Sequence, residues 1–204
     1  MIGIVDYGLG NLTSVAGVVE KLGFEPRITC EPDELARAEK LILPGVGAFG
    51  DGMAKLRERD LIAPLGDMVL EDGKPILGIC LGFQLIATDS KEFGDHQGLG
   101  WIDASVRRLD PGSDDLRVPH VGWNNLIQKH DSILFDDIPE DALFYYVHSF
   151  HLVPADDAVV IGECEYGARF VAVAERDNIR AVQFHPEKSQ LHGLKLLENF
   201  LTKA

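Results

Sequence analysis

The chain has 204 residues, 46% of them apolar and 25% charged, with a formal net charge of −14. That length suits one domain with a sizeable core. So negative a surface disfavours non-specific nucleic-acid binding, which needs clustered Lys and Arg, and no apolar run approaches the roughly 18 residues of a membrane span.

In chain order, "IGIV" (2–5) reads as a short buried strand. "NLTSVAGVVEKLG" reads as a helix, with Asn11 as N-cap and Gly23 past its end. "EPRIT" is a second strand and "KLILP" a third, expected to stop at Pro44. "DGMAKLRERDLIAPLGDMVLEDG" holds two helical stretches, divided near Asp60–Pro64. "KPILGI" is a fourth strand, and "LGFQLIA" opens another helix. Short apolar strands alternating with helices predict a parallel sheet covered on both faces. The second half differs: "ASVRRL", "ALFYYVHSF", "AVVIGECEY", "RFVAVAER" and "IRAVQFH" all read as strands. Helical pattern returns only in "QLHGLKLLENFLTKA". The expected architecture is one α/β domain over residues 1–204, with antiparallel strands extending the parallel layer and a C-terminal helix closing it. The N-terminus, "MIGIVDYGLGN", lacks the basic start and apolar stretch of a secretory signal, so the expected location is the cytosol.

The cysteines are Cys30, Cys80 and Cys164, an odd number at wide spacing. This argues against a disulfide framework or a CxxC metal site. Cys80 stands between glycines in Gly78-Ile79-Cys80-Leu81-Gly82, where a strand meets a helix. A strand, a G-x-C-x-G turn and a helix form the thiol version of a nucleophile elbow. Small flanking residues let the chain double back and expose the central side chain. The following helix turns its N–H groups toward the sulfur and favours thiolate. The Leu81 N–H points where an oxyanion would form. The competing reading is a buried cysteine between packing glycines.

A thiolate nucleophile needs a base. "VQFHPEKS" supplies His185 at a strand end, with Glu187 two residues on. Side chains at i and i+2 of an extended segment share a face, and Pro186 favours extension at His185. Glu187 is thereby expected to orient the imidazole. "LPGVGAFGDG" lacks the Gly-Lys-Ser/Thr ending of a phosphate-binding loop. Gly45, Val46 and Gly47 read better as an oxyanion strand, because glycine on both sides of Val46 lets the peptide plane rotate cheaply.

Pro44-Gly45-Val46-Gly47, Gly78-x-Cys80-Leu81-Gly82-x-Gln84 and His185-Pro186-Glu187, in that order, resemble the class I, triad-type glutamine amidotransferases. The resemblance spans nearly the whole chain. It implies a flavodoxin-like fold with a mixed, mostly parallel sheet and helices on both faces. It implies a catalytic Cys80, His185 and Glu187, with an oxyanion held by Val46 and Leu81 N–H groups. It places Gln84, Glu92, Ser149 and Phe150 around the substrate L-glutamine, the last two largely through backbone. No cofactor or metal is implied.

Within the family, "DYGLGN", "PHVGWN", "YYVHSF" and "HPEKS" are similar to glutaminase subunits serving a (β/α)8 cyclase of histidine biosynthesis. In that heterodimer, Asn11, Trp123, Asn124, Tyr145 and Lys188 fall in segments facing the cyclase, which receives the ammonia. Phe83 stands where the family usually has Met, and Lys91-Glu92 where it has an acidic pair. "KEFGDHQGLGWI" and "HPEKSQLHGLKLLENF" also resemble paralogues that supply ammonia for aminating a surface-polysaccharide or nonulosonic-acid sugar. Rival readings are a non-catalytic binding domain, another cysteine hydrolase on this fold, and a flavodoxin-like binding protein. The first is expected to lack Cys80 or His185. The second lacks "PHVGWN" and "HPEKS". The third predicts a Cys80 no more reactive than Cys30.

Overall fold

Apolar runs set the first half of the fold. In a computed structural model, which describes residues 1–113 and 115–204, the chain begins with β1 (Ile2–Val5), α1 (Leu12–Lys21), β2 (Pro26–Thr29), α2 (Pro32–Arg37) and β3 (Lys40–Gly45). It continues through α3 (Phe49–Glu58) and α4 (Ile62–Gly66), the latter extended by a π-helical turn over Asp67–Glu71, to β4 (Ile76–Cys80) and α5 (Leu81–Leu85). The second half holds β5 (Ala87–Ser90), β6 (His96–Gln97), β7 (Ile102–Arg108), β8 (His120–Asn125), β9 (Ile127–Gln128), β10 (Leu143–His148) and β11 (Phe150–Pro154). β12 (Val160–Tyr166), β13 (Ala168–Arg176), β14 (Ile179–Val182) and α6 (Gln190–Lys203) complete it.

The main sheet runs β2-β1-β3-β4-β14-β13-β11-β7-β5-β6, with β12 and β9 branching from β13. From β2 to β14 every pairing is parallel. Beyond β14 the strands meet antiparallel, except for the β5–β7 pair. β8 and β10 form a separate antiparallel ribbon. Apolar layers cover both faces. One packs Leu41 and Leu43 against Leu35, Phe49 and Leu56 from the helices; the other packs Ile4 and Ile79 against Val15, Val19 and Phe200. Each such side chain contributes roughly 1.5–3 kcal/mol by leaving water.

Details depart from the sequence pattern. β3 does not stop at Pro44 but runs to Gly45. β1 pairs with β3 only as far as Ile42, so at Pro44 the strand has β4 alone as neighbour, and the missing N–H breaks no ladder on the vacant side. The helix break falls just before α4, at Asp60 with φ 52°, and Pro64 sits in the first turn of α4, where a proline is tolerated. Asn11 precedes α1, but its side chain makes no capping hydrogen bond. Gly23, at φ 87°, ends that helix as expected.

Candidate active site

β4 delivers Cys80 to the carboxyl edge of the parallel strands, and the chain turns there directly into α5. Cys80 has φ 55° and ψ −103°, a costly conformation for a residue with a side chain. The glycines explain how the turn closes. A Cβ on Gly82 would lie 1.8 Å from the Leu43 carbonyl oxygen, and one on Gly78 would lie 2.9 Å from the Gly82 oxygen. α5 is thus pressed onto β3 and β4 with no room for a methyl group. The Cys80 thiol has two neighbours of opposite character. It can donate to the Val147 carbonyl at 3.9 Å, and the Gln183 side-chain amide donates to the sulfur at 3.9 Å.

His185 follows β14, and its backbone N–H donates to the Tyr145 carbonyl at 2.9 Å. The expected extended His-Pro-Glu segment is not what brings Glu187 to it. Pro186–Lys188 instead forms a 3-10 turn, which curls the carboxylate back to 2.9 Å from Nδ1. Both side chains are buried, 2% and 1% exposed. With Glu187 accepting at Nδ1, the other ring nitrogen, Nε2, is left without a partner among the described residues. Burial by itself drags the His185 pKa down. The closeness of Cys80 and the bond and charge of Glu187 outweigh it, and the pKa is raised to about 9. The site therefore favours an imidazolium once the sulfur is anionic.

A cavity of ≈ 320 Å³ opens over Cys80 and His185, at the small end of ligand sites. Gln84, Glu92, Ser149 and Phe150 all line it, as do Val46, Gly47 and Leu81. Gln84 Nε2 donates to the Phe150 carbonyl at 3.0 Å and to Gln183 at 3.1 Å. Glu92 accepts from the Phe49 N–H, at the start of α3, at 2.6 Å. Burial pushes its pKa up and that hydrogen bond opposes the push. Ser149 and Phe150 have committed backbone oxygens: Ser149 accepts from the Leu109 N–H at 2.8 Å, and Phe150 accepts from Gln84 and from His148 at 2.9 Å. Gly45 pairs with Cys80 across β3–β4, and a Cβ on it would meet the Tyr7 hydroxyl at 2.1 Å. Gly47, by contrast, has φ 103° and open space around it.

Three expected interface residues converge. Trp123 and Tyr145 pair across the ribbon, ring centroids 5.9 Å apart, and the Lys188 ammonium lies 5.9 Å from the Tyr145 ring. Asn124 points to the opposite face and donates to the Glu165 carbonyl at 2.9 Å. Asn11 lies at the head of α1, which packs beside the Pro186–Lys188 turn. The sequence pattern did not single out Gln183, His148 or Ser189. For Gln183 a signal existed: it stands two residues before His185 in a run that reads as a strand, where i and i+2 share a face.

A cysteine on a glycine-locked elbow, a buried His–Glu pair and a small cavity over them, on a mixed α/β sheet, are the arrangement expected of a triad-type thiol amidase. The chain belongs to the class-I glutamine amidotransferase family, whose model matches residues 4–204. It is 48% identical over 208 residues to the imidazole glycerol phosphate synthase subunit HisH of Geobacter metallireducens, covering 100% of this chain and 99% of the relative. It is 46% identical to the HisH subunit of Aquifex aeolicus, covering 98% and 96%. Among solved structures it is similar in fold to PurLQS from Thermotoga maritima, with a TM-score of 0.75 at 24% identity, covering 98% of this chain and 96% of that one. No helix among the described residues is long and apolar enough to cross a membrane.

Proposed function

We propose that the chain is the cytosolic glutaminase subunit of an imidazole glycerol phosphate synthase, working as a heterodimer with a (β/α)8 cyclase. The observation that carries this is the Cys80–His185–Glu187 arrangement, in a chain 48% identical end to end to a HisH subunit. In this reading the Cys80 thiolate attacks the γ-carboxamide carbon of L-glutamine. The tetrahedral oxyanion rests on the Val46 and Leu81 N–H groups. His185 gives the proton from Nε2 to the departing ammonia, leaving a glutamyl thioester on Cys80. Water, deprotonated by the same nitrogen, then attacks the thioester and releases glutamate. Glu187 holds the imidazole with its proton at Nδ1 and stabilises the cation. Gln84, Glu92, Ser149 and Phe150 shape the glutamine pocket, Glu92 doing so from a position fixed by α3.

Ammonia leaves toward the partner. Val147 lines the cavity, and it belongs to the same face of the ribbon as Tyr145 and Trp123. The docking face, with Asn11 and Lys188 around it, thus adjoins the chemistry, while Asn124 supports the ribbon from its other side. The test is glutamine hydrolysis by the purified chain with and without the histidine-pathway cyclase of the same organism and its aminoimidazole-ribotide ligand. Strong stimulation is expected. Absence of stimulation, with Cys80 still selectively labelled by a glutamine-analogue electrophile, would move the assignment to the sugar-aminating paralogues.

A further inference from the structure

Behind the cavity runs a chain of buried polar groups that ends on the Cys80 sulfur. His120, His148, Gln84, Gln183 and Cys80 are 2%, 5%, 6%, 0% and 7% exposed. His120 Nδ1 lies 3.1 Å from His148 Nε2, and His148 Nδ1 lies 2.9 Å from the Phe150 oxygen. The Phe150 carbonyl can only accept, and this fixes the polarity of everything attached to it. His148 must carry its proton at Nδ1. Gln84 must turn its nitrogen toward Phe150, and the second N–H of the same nitrogen meets Gln183 Oε1 at 3.1 Å. Gln183 is then left with one orientation: oxygen toward Gln84, nitrogen toward the Cys80 sulfur at 3.9 Å.

The backbone locks that arrangement further. The Gln183 N–H donates to the Ala172 carbonyl at 2.8 Å, so the residue is tied to β13 and cannot follow movements of the cavity mouth. An amide with no exposure, donating to a sulfur, favours the anionic form of that sulfur. The Val147 carbonyl, on the other side, can accept only from the neutral thiol.

We propose that Gln183 is a positioning residue of the glutaminase site: its amide holds Gln84 and Cys80 in one frame and donates a hydrogen bond to the sulfur as thiolate. The inference rests on Cys80 being the nucleophile, as proposed above. It assigns Gln183 a task separate from that of His185. The imidazole moves protons during turnover, whereas Gln183 prepares the sulfur beforehand and keeps the substrate-binding Gln84 in register with it.

The experiment is alkylation of the full chain by iodoacetamide, a small neutral probe that needs no glutamine recognition, across pH from about 6 to about 10. Peptide mass spectrometry reads each cysteine separately. Gln183→Leu removes the donor and Gln183→Glu replaces it with an acceptor of the same shape. At about pH 7 we expect Cys80 alkylation to slow by about tenfold in Gln183→Leu and more in Gln183→Glu, with all rates converging near pH 10, where the thiol ionises unaided. A purely structural role would change rates by the same factor at every pH. If Cys80 is selectively alkylated but both variants keep the unaltered pH profile, the Gln183 inference is overturned and the nucleophile stands. If Cys80 in the unaltered chain reacts no faster than Cys30, the nucleophile assignment itself fails. Should neither variant fold, side-chain amide resonances of the unaltered chain decide. The Gln183 N–H₂ signal should move as Cys80 titrates and stay still in Cys80→Ala, and a signal indifferent to Cys80 would overturn the proposal.

Discussion

The two halves of the molecule are built on opposite plans. In the parallel half, β1 to β4 and β14, apolar side chains fill the interior and glycines are placed where a methyl group cannot fit. Gly82 against Leu43 is the tightest of these contacts. In the β8–β10 ribbon two buried histidines share the inside with the core aromatics Phe144 and Tyr146, and the outside is apolar. His120, His148 and Tyr146 are buried, while Val121, Trp123 and Leu143 are 56%, 44% and 46% exposed. Apolar side chains left in water on the outer face, and imidazoles taken out of it on the inner one, do not repay their own folding well. In the proposed function the contrast separates labour: one half holds the nucleophile rigid, and the other is the face a partner covers.

The comparison is most easily broken from the rigid side. Gly82→Ala puts a carbon 1.8 Å from a backbone oxygen and should destabilise the chain by about 4 kcal/mol or more. Urea unfolding would measure it. A loss under about 1 kcal/mol would mean that α5 is free to lift off β3.

Acid tests the ribbon. Burial holds His120 at about 4, and burial above all holds His148 at about 3. In the unfolded chain both take up protons near the usual value of about 6.5. Between those values the unfolded state binds more protons, so stability must rise with pH there. The contribution is complete above about pH 6.5 and is lost as pH falls toward the folded-state values. We expect a loss on the order of 6 kcal/mol by about pH 4, about 3 from each imidazole, with hydrogen exchange showing the ribbon opening before β1–β4. Simultaneous loss of both regions would make the chain one cooperative unit and blunt the contrast.

Gly47→Val probes the boundary between the halves. Open space surrounds Gly47, yet φ is 103°, so the substitution should cost only about 1–2 kcal/mol of stability. Cyclase-stimulated glutamine hydrolysis should fall at least tenfold, because the Gly45-Val46-Gly47 peptides would lose the freedom to rotate, while cyclase affinity should stay within about threefold. Equal losses in activity and binding would sink the idea of a rotating oxyanion strand.

The smallest effect on folding is expected at the ribbon surface. Trp123→Ala should move the melting temperature by no more than about 2 °C, and should weaken cyclase binding by at least about tenfold, as an exposed aromatic anchor does. Titration calorimetry against the cyclase would read the affinity. Unchanged affinity would remove Trp123 from the docking face.

Legibility in the sequence follows the same division. β1, β3, β4 and the elbow were readable because apolar runs and G-x-C-x-G obey local rules. Cys80, His185, Gln84 and Glu92 line one cavity, and Glu187 holds His185 from behind it. β8 was not readable, since an inverted apolar pattern interrupted by Gly122 does not look like a strand. The 3-10 turn that carries Glu187 was not readable either: Pro186 announces an extended His185, and only tertiary packing bends the residues after it. Gln183 and Ser189 act through single hydrogen bonds to distant atoms, which no local period records.

Ser189 holds the last consequence. Its hydroxyl donates to the His185 carbonyl at 2.6 Å and accepts from the Tyr145 N–H at 2.9 Å. Both atoms at the ends of this clasp are main chain. The outer side chains of the ribbon can therefore be rewritten without loosening the tie to the base. A glutaminase built this way is free to change customers: drift on the docking face can court a different ammonia acceptor while the amide-cleaving machinery is inherited intact.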